Sequence, residues 1–353
     1  MSHASLTSLA IAQPPLGPRL CPELQRPDRL FELSTPSELD RWIGCRADSL
    51  TEVETAAALA TRAWQHSSQV AGNSPHVGIG CRVVVTETLL RCTVVVHTRF
   101  RTELLQWEGP ATDDAGFVRK GSRILERLLQ EANPVETFDL ARVGDPAGGV
   151  RHEVAEAPDS IRRLISGEVG VVWRHPHGEM TPEHPQNVRA VLSGAFNPLH
   201  AGHMALRQAA SEFLGRETAY ELPIVNADKP PLDFLALEAR TGQFRDGPVA
   251  LSGAATFAEK ARLLPRTTFV VGYDTAIRIL DPRYYGGTDA MRAALQQFGD
   301  SGGSFLVAGR LCEGTFRSLT DLPCPTELRD LFEELPASRF RVDLSSTELR
   351  RSR

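Results

Sequence analysis

Eleven residues near the middle of the chain, Ser193-Gly194-Ala195-Phe196-Asn197-Pro198-Leu199-His200-Ala201-Gly202-His203, constrain its fold more than any other stretch. They lie between a short apolar run, 188–192 (VRAVL), and a helical pattern over 202–214. Small residues at 193–195 allow a tight turn, so backbone N–H groups can approach a phosphate, and the positive end of the following helix points at the same place. Pro198 fixes the loop and Gly202 opens the helix. His200 and His203 are three apart at that helix start and can face one ligand together. Two imidazoles there can donate to phosphate oxygens and favour the charge that builds at an α-phosphorus. A phosphorylated acceptor already carries an anionic oxygen, so positioning and charge neutralisation suffice and no covalent nucleophile is needed. The plainer alternative is a loop that contains two histidines.

The surrounding pattern predicts the sheet that such a turn requires. Strands are expected at 219–222, 268–271 and 304–307, with helices at 256–264 and 289–298 between them. This alternation over 187–353 predicts a parallel, doubly wound α/β sheet with ligands at the C-terminal ends of its strands. A smaller α/β domain is expected over 30–135. It comprises a helix at 49–66 capped by Ser49 or Thr51, strands at 77–85 and 92–98, and a helix at 117–132 with Ile124, Leu125, Leu128 and Leu129 on one face. Prolines and glycines punctuate 136–186, which reads as a linker with a short helix at 161–165 and a strand at 169–173. His175, His177 and His184 in that stretch lack companion ligands at set spacing, so they read as loop histidines and no metal site is expected. Residues 1–29 are expected to be a disordered terminus. Their start has one arginine and no acid, as transit peptides do, but Pro14, Pro15, Pro18 and Pro22 break any amphipathic helix.

Bulk properties exclude several classes. A net charge of −5 argues against a general nucleic-acid binder. Nothing approaches the ~20 consecutive apolar residues of a membrane span. Six scattered cysteines without a C-x-x-C pair suggest a reducing, cytoplasmic setting. The oligomeric state is left open, a homo-oligomer among the options.

The segment 193–203 resembles the G-x-F-[DN]-P-x-H-x-G-H signature of the HxGH nucleotidyltransferase superfamily, with Gly194, Phe196, Asn197, Pro198, His200, Gly202 and His203 matching. The resemblance implies a Rossmann-like sheet, catalytic His200 and His203, and a nucleotide site that includes Ser193, Gly194, Ala195, Phe196, Asn197 and Gly202. It also implies ATP or CTP as donor, Mg2+ carried with the triphosphate, and a small phosphorylated acceptor. LSSTELR at 344–350 resembles the I-S-S-T-x-[IV]-R motif of the same superfamily, so Ser345, Ser346, Thr347 and Arg350 are expected at the donor's terminal phosphates, although S-S-T-E alone is an ordinary capping box. The final helix can have barely two turns before Arg353, a departure from the pattern.

Other likenesses bear on the acceptor. Asn226 and Lys229 stand where pyridine-nucleotide enzymes place an asparagine and a lysine; Gly272-Tyr273-Asp274 resembles their G-x-D, with a helix cap as the alternative role of Asp274. Gly309 and Arg310 end a strand near the expected adenine site, and the Tyr284-Tyr285 loop offers either stacking surface or packing. Together these imply an enzyme like the nicotinate/nicotinamide mononucleotide adenylyltransferases.

Residues 45–132, with VGIGCRVVV and TVVVHTR, resemble part of the C-terminal domain of competence-damage-inducible (CinA-like) proteins, some of which deamidate nicotinamide mononucleotide. The E-S-C-T-G-G segment of that family is missing, and Arg46-Ala47-Asp48-Ser49-Leu50-Thr51 stands in its place, which implies a noncatalytic domain. Three readings follow: adenylyl transfer to a pyridine mononucleotide, nucleotidyl transfer from CTP or ATP to another acceptor, or a noncatalytic nucleotide-binding regulator.

Overall fold

Two glycines two apart in a β-branched run, Gly78 and Gly80, set how the first half of the chain is built. In the computed structural model, which describes residues 9–11, 30–33, 35–71, 77–131, 150–225, 232–312 and 314–341, they begin strand β3 (Gly78–Val85). Both point at helix α2 (Glu52–Ala71): a Cβ at Gly78 would collide with Ala60 O, and one at Gly80 with Ala56 O and Ala60 N. The missing side chains let helix and sheet backbones approach closely, with Ala56 and Ala60 fully buried between them. Gly80→Ala is therefore expected to force the helix outward and destabilise the fold by about 3 kcal/mol, read as a lowered midpoint in urea unfolding.

The chain forms two compact units, Met1–Ala157 and Pro158–Arg353. The first unit holds a six-stranded sheet. Strands β3, β4 (Leu89–His97), β5 (Arg101–Pro110) and β6 (Val150–Glu156) form an antiparallel meander, while β1 (Leu9–Ile11) and β2 (Leu30–Glu32) extend it in parallel beyond β3. Helix α1 (Pro36–Ile43) and helix α3 (Asp114–Glu131) complete the unit. Trp64, Trp107 and Phe117 are buried there, the last two with ring centroids 6.0 Å apart.

Several expectations are corrected here. Leu9–Ile11 is a strand inside the terminus expected to be disordered. Thr51, not Ser49, caps α2: its hydroxyl accepts from Glu54 N–H at 3.2 Å, and the Glu54 carboxylate accepts from Thr51 N–H at 2.8 Å. Ser49 instead donates to Arg46 O within a short 3-10 turn. The side chains of Ile124, Leu125, Leu128 and Leu129 lie outside the described residues. Within 136–186, the described residues 150–186 are divided between the units rather than forming a linker. Residues 150–156 pair with β5, whereas α4 (Asp159–Ile165), β7 (Val171–Arg174) and β8 (Met180–Thr181) belong to the second unit. The alternating charges of 150–156 leave its side chains largely in solvent, so backbone hydrogen bonding rather than an apolar face makes it a strand.

The second unit is built on an eight-stranded sheet. Its parallel strands are β9 (Ala190–Ser193), β10 (Thr218–Pro223), β11 (Val249–Ser252), β12 (Thr268–Gly272), β13 (Ser304–Ala308) and β16 (Phe332–Leu335). Counted one to six along the chain, they lie across the sheet as 3-2-1-4-5-6, the order of Rossmann-like doubly wound sheets, and β7 and β8 extend the sheet antiparallel beyond β11. The five inner parallel strands are short and almost wholly buried, as parallel strands covered by helices must be, while the edge strand β16 sets Glu333 and Glu334 between buried Phe332 and Leu335. Crossovers include α5 (Ala201–Leu214), α6 (Phe234–Thr241), α7 (Phe257–Leu263), α8 (Tyr273–Ile279) and α9 (Thr288–Asp300); a small hairpin, β14 (Arg310–Cys312) and β15 (Thr315–Arg317), follows β13. The doubly wound sheet expected from the sequence is present. Missing from that expectation were β11, α6, α8 and β16, each eight residues or shorter. Among the described residues no helix is long and apolar enough to cross a membrane.

Candidate active site at the switch point of the second sheet

Strand order reverses between β9 and β12, and in sheets of this kind ligands lie outside the strand C-termini at that point. The loop 193–200 leaves β9 there, and Gly272 and Asp274 leave β12 beside it. Gly272 is the N-cap residue of α8, and a Cβ built on it would meet nothing within 4 Å.

A buried aromatic ring shapes the loop. Phe196 is 2% exposed and sits at φ 43°, a left-handed conformation that disfavours a large side chain. Its ring stands edge-on to His203, Tyr220 and Phe244, with centroids 5.1, 5.3 and 5.2 Å away. A Cβ on Gly194 would press on that ring at 3.1 Å, which is why glycine suits this position. Phe196 thus contributes an anchor for the loop and a wall behind His203, while Asn197 is exposed.

Two polar residues from beyond α6's first turns clamp the same loop. Arg240 Nη1 donates to Ala195 O at 3.1 Å; Gln243 donates through Nε2 to Phe196 O at 3.3 Å and accepts from Leu199 N–H at 2.8 Å. Several loop amides are therefore already used, Gly194 N–H by Glu221 O among them. The fold leaves donors for a ligand in the first turn of α5, where the N–H groups of Ala201 and Gly202 have no intrahelical acceptor.

His200 is the N-cap residue of α5 and its ring lies on that of His203, centroids 3.7 Å apart and planes 28° apart. His203 Nδ1 accepts from His200 N–H at 3.3 Å, which puts the proton of a neutral His203 on Nε2. Burial lowers the pKa of both rings, and with the neighbouring His200 adding to it, His203 is pushed down to about 4. At neutral pH both are uncharged donors. Between pH 6.5 and about 4 the unfolded chain binds a proton at His203 and the folded chain does not. Stability therefore falls as pH drops through that window and levels off below it, by up to about 3 kcal/mol. Denaturation of wild type and His203→Asn side by side from pH 7 to 4 checks this, since the variant lacks that slope.

The expected second group is only partly visible. Asp274 does not cap α8; it forms an ion pair with Arg310, and Cys312 Sγ lies 3.8 Å from its other oxygen. Gly309 is required by the hairpin, where a Cβ would strike Phe316 and Arg317 O. Tyr285 packs and donates to Ile279 O at 2.9 Å rather than offering a free face. His177 pairs with Glu179, and His184 stands edge-on to Trp173. Asn226, Lys229, Ser345, Ser346, Thr347 and Arg350 lie outside the described residues.

Sequence reasoning missed the layer beneath the loop. The hydroxyl of Ser193 is bound into a buried cluster: it donates to Glu221 and accepts from Lys260 Nζ at 2.9 Å. The only hint in the sequence is Glu221 itself, a carboxylate inside an otherwise apolar strand.

Fold and site together define a Rossmann-like α/β domain whose switch point carries an anchored loop, a helix start and a stacked pair of neutral histidines. The chain is similar to a curated protein of Schizosaccharomyces pombe named "Putative nicotinamide mononucleotide adenylyltransferase", 35% identical over 122 residues, which cover 31% of this chain and 48% of that protein. The chain thus spans about half the length of the curated relative it matches. No protein-family model and no solved structure matches it.

Proposed function

We propose that the second unit transfers an adenylyl group from ATP to the phosphate of nicotinamide or nicotinate mononucleotide. The observation that carries this reading is the His200–His203 pair at the start of α5, on the strand-order switch point. In the reaction an acceptor phosphate oxygen bonds to the α-phosphorus of ATP, the bond to the bridging oxygen breaks, and pyrophosphate leaves. The N–H groups of Ala201 and Gly202 and the dipole of α5 attract the phosphates. His203 Nε2–H and the His200 ring donate to the oxygens on which charge develops, and being preorganised they need little rearrangement. Phe196 fixes the His203 ring, and Arg240 and Gln243 fix the loop.

Among the described residues no three His, Cys, Asp or Glu groups converge as a metal cage, so Mg2+ in this reading is held by the triphosphate. When bound it neutralises charge on the pyrophosphate. Acceptor recognition falls to Asp274, with Asn226 and Lys229, while Arg310, Ser345, Ser346, Thr347 and Arg350 serve the donor. The relative's name supports a pyridine mononucleotide as the acceptor. Residues 30–135 are read as a noncatalytic CinA-like domain, because the E-S-C-T-G-G segment of that family is replaced by Arg46-Ala47-Asp48-Ser49-Leu50-Thr51.

The test is the full chain with Mg-ATP or Mg-CTP and each candidate acceptor, scored for pyrophosphate. Release is expected with ATP and a pyridine mononucleotide. Release only with other acceptors, or only with CTP, removes the pyridine reading, and ATP binding without any release leaves the regulator.

A further inference from the structure

Beneath the loop lies a charged cluster sealed from water. Glu221 in β10 is fully buried and Lys260 on α7 is 4% exposed, with Nζ 2.8 Å from Oε2. Lys260 also donates to Ser193 Oγ at 2.9 Å, with the face of Phe257 4.8 Å from Nζ. Ser193 and Ser252 each donate to one oxygen of the Glu221 carboxylate, and Glu221 O accepts from Gly194 N–H at 3.0 Å. Ser193 and Ser252 end β9 and β11, the strands on either side of β10, and Ser193 is the register partner of Glu221.

Aliphatic residues in these positions would pack the sheet at least as well, because a buried ion pair seldom outperforms an apolar replacement of the same volume. What the pair adds is direction. The carboxylate of Glu221 has both oxygens engaged, so its orientation is fixed, and through it the Ser193 side chain is fixed as well, while the main-chain carbonyl of the same residue holds Gly194. These are the first two residues of the loop that continues to Phe196 at positive φ and to His200.

We propose that the Lys260–Glu221 pair is a positioning element for this loop: it holds the base of the loop against the sheet so that the His200–His203 pair meets the donor's phosphates in one geometry. The proposal rests on the reading that the loop binds those phosphates, and it makes a separate claim about the order of the loop.

The double variant Glu221→Gln/Lys260→Met removes both charges at nearly constant volume. Its thermal midpoint is expected close to wild type, while amide hydrogens over 194–200 exchange at least about tenfold faster and those of 268–272 are unchanged. In pyrophosphate release its kcat falls at least about tenfold with little change in the KM for Mg-ATP, a split that general destabilisation does not produce. A folded double variant with wild-type exchange over 194–200 overturns the proposal. Absence of pyrophosphate release in the wild type defeats the functional reading alone, and exchange still decides the positioning role. Should the double variant not fold, Ser193→Ala, which keeps both charges and cuts only the tie to the loop, must show the same faster exchange over 194–200; unchanged exchange there overturns the proposal.

Discussion

Replacing His203 with asparagine is expected to lower the turnover of pyrophosphate release by about 10²–10³ while leaving Mg-ATP affinity within about threefold, the loss typical of removing one preorganised donor from a site of developing charge. Asparagine is the informative choice because its side-chain oxygen can take the place of Nδ1, which accepts from His200 N–H. The start of α5 is thereby kept and only the donor at Nε2 is lost. Glutamine, which can reach the Nε2 position but not Nδ1, is expected to retain more activity at the expense of the helix start. Steady-state kinetics of the two variants, with calorimetric titration of Mg-ATP, separate chemistry from capping. Equal loss in both variants, matched by a loss of ATP binding, removes the donor role of His203.

Lys260→Met alone is expected to destabilise the protein by about 3–5 kcal/mol, because it leaves the Glu221 carboxylate buried without its cation. For a unit of this size that corresponds to a thermal midpoint lowered by roughly 10 °C. Neutralising the partner as well should recover most of the loss, since an amide at 221 has far less to lose from burial than a carboxylate. Scanning calorimetry of the two singles and the double gives the coupling directly. Additive losses would mean that the two groups do not compensate each other.

What the sequence discloses follows the range of the interactions involved. The loop 193–203 is legible because turn, helix start and histidine spacing are all local, and His200 and His203 are brought together by the cap and first turn of one helix. Strands β9, β12 and β13 are legible because each is built on an unbroken apolar run, and β10 because apolar residues flank its single carboxylate, Glu221. Strand β11 has only four residues, Val249–Ser252, and earns its place through partners on both sides rather than through length. Strand β6 falls in the stretch that prolines and glycines make read as a linker, because its partner, β5, is more than forty residues away and supplies hydrogen bonds instead of an apolar face. The same applies within the site. Arg240, Gln243 and Lys260 lie 45, 44 and 67 residues from their contacts in the loop, and nothing local marks them as belonging to it. Asp274 sits at a helix start, where a cap is the alternative to a place beside the nucleotides, and Arg310, which arrives from the hairpin after the next strand, pairs with its carboxylate.

The antiparallel extension of the second sheet decides where this unit can be separated from the rest of the chain. With β7 paired to β11, the backbone groups on that side of Val249–Ser252 are satisfied, and the sheet ends instead on β8, only two residues long. A fragment beginning at 187 keeps every parallel strand and both histidines but strips this cover, leaving an apolar, four-residue edge ready to recruit another chain. One beginning at Pro158 retains the cover. The segment that most resembles a dispensable connector is thus the guard against self-association, and recombinant work on the isolated unit must start ahead of it.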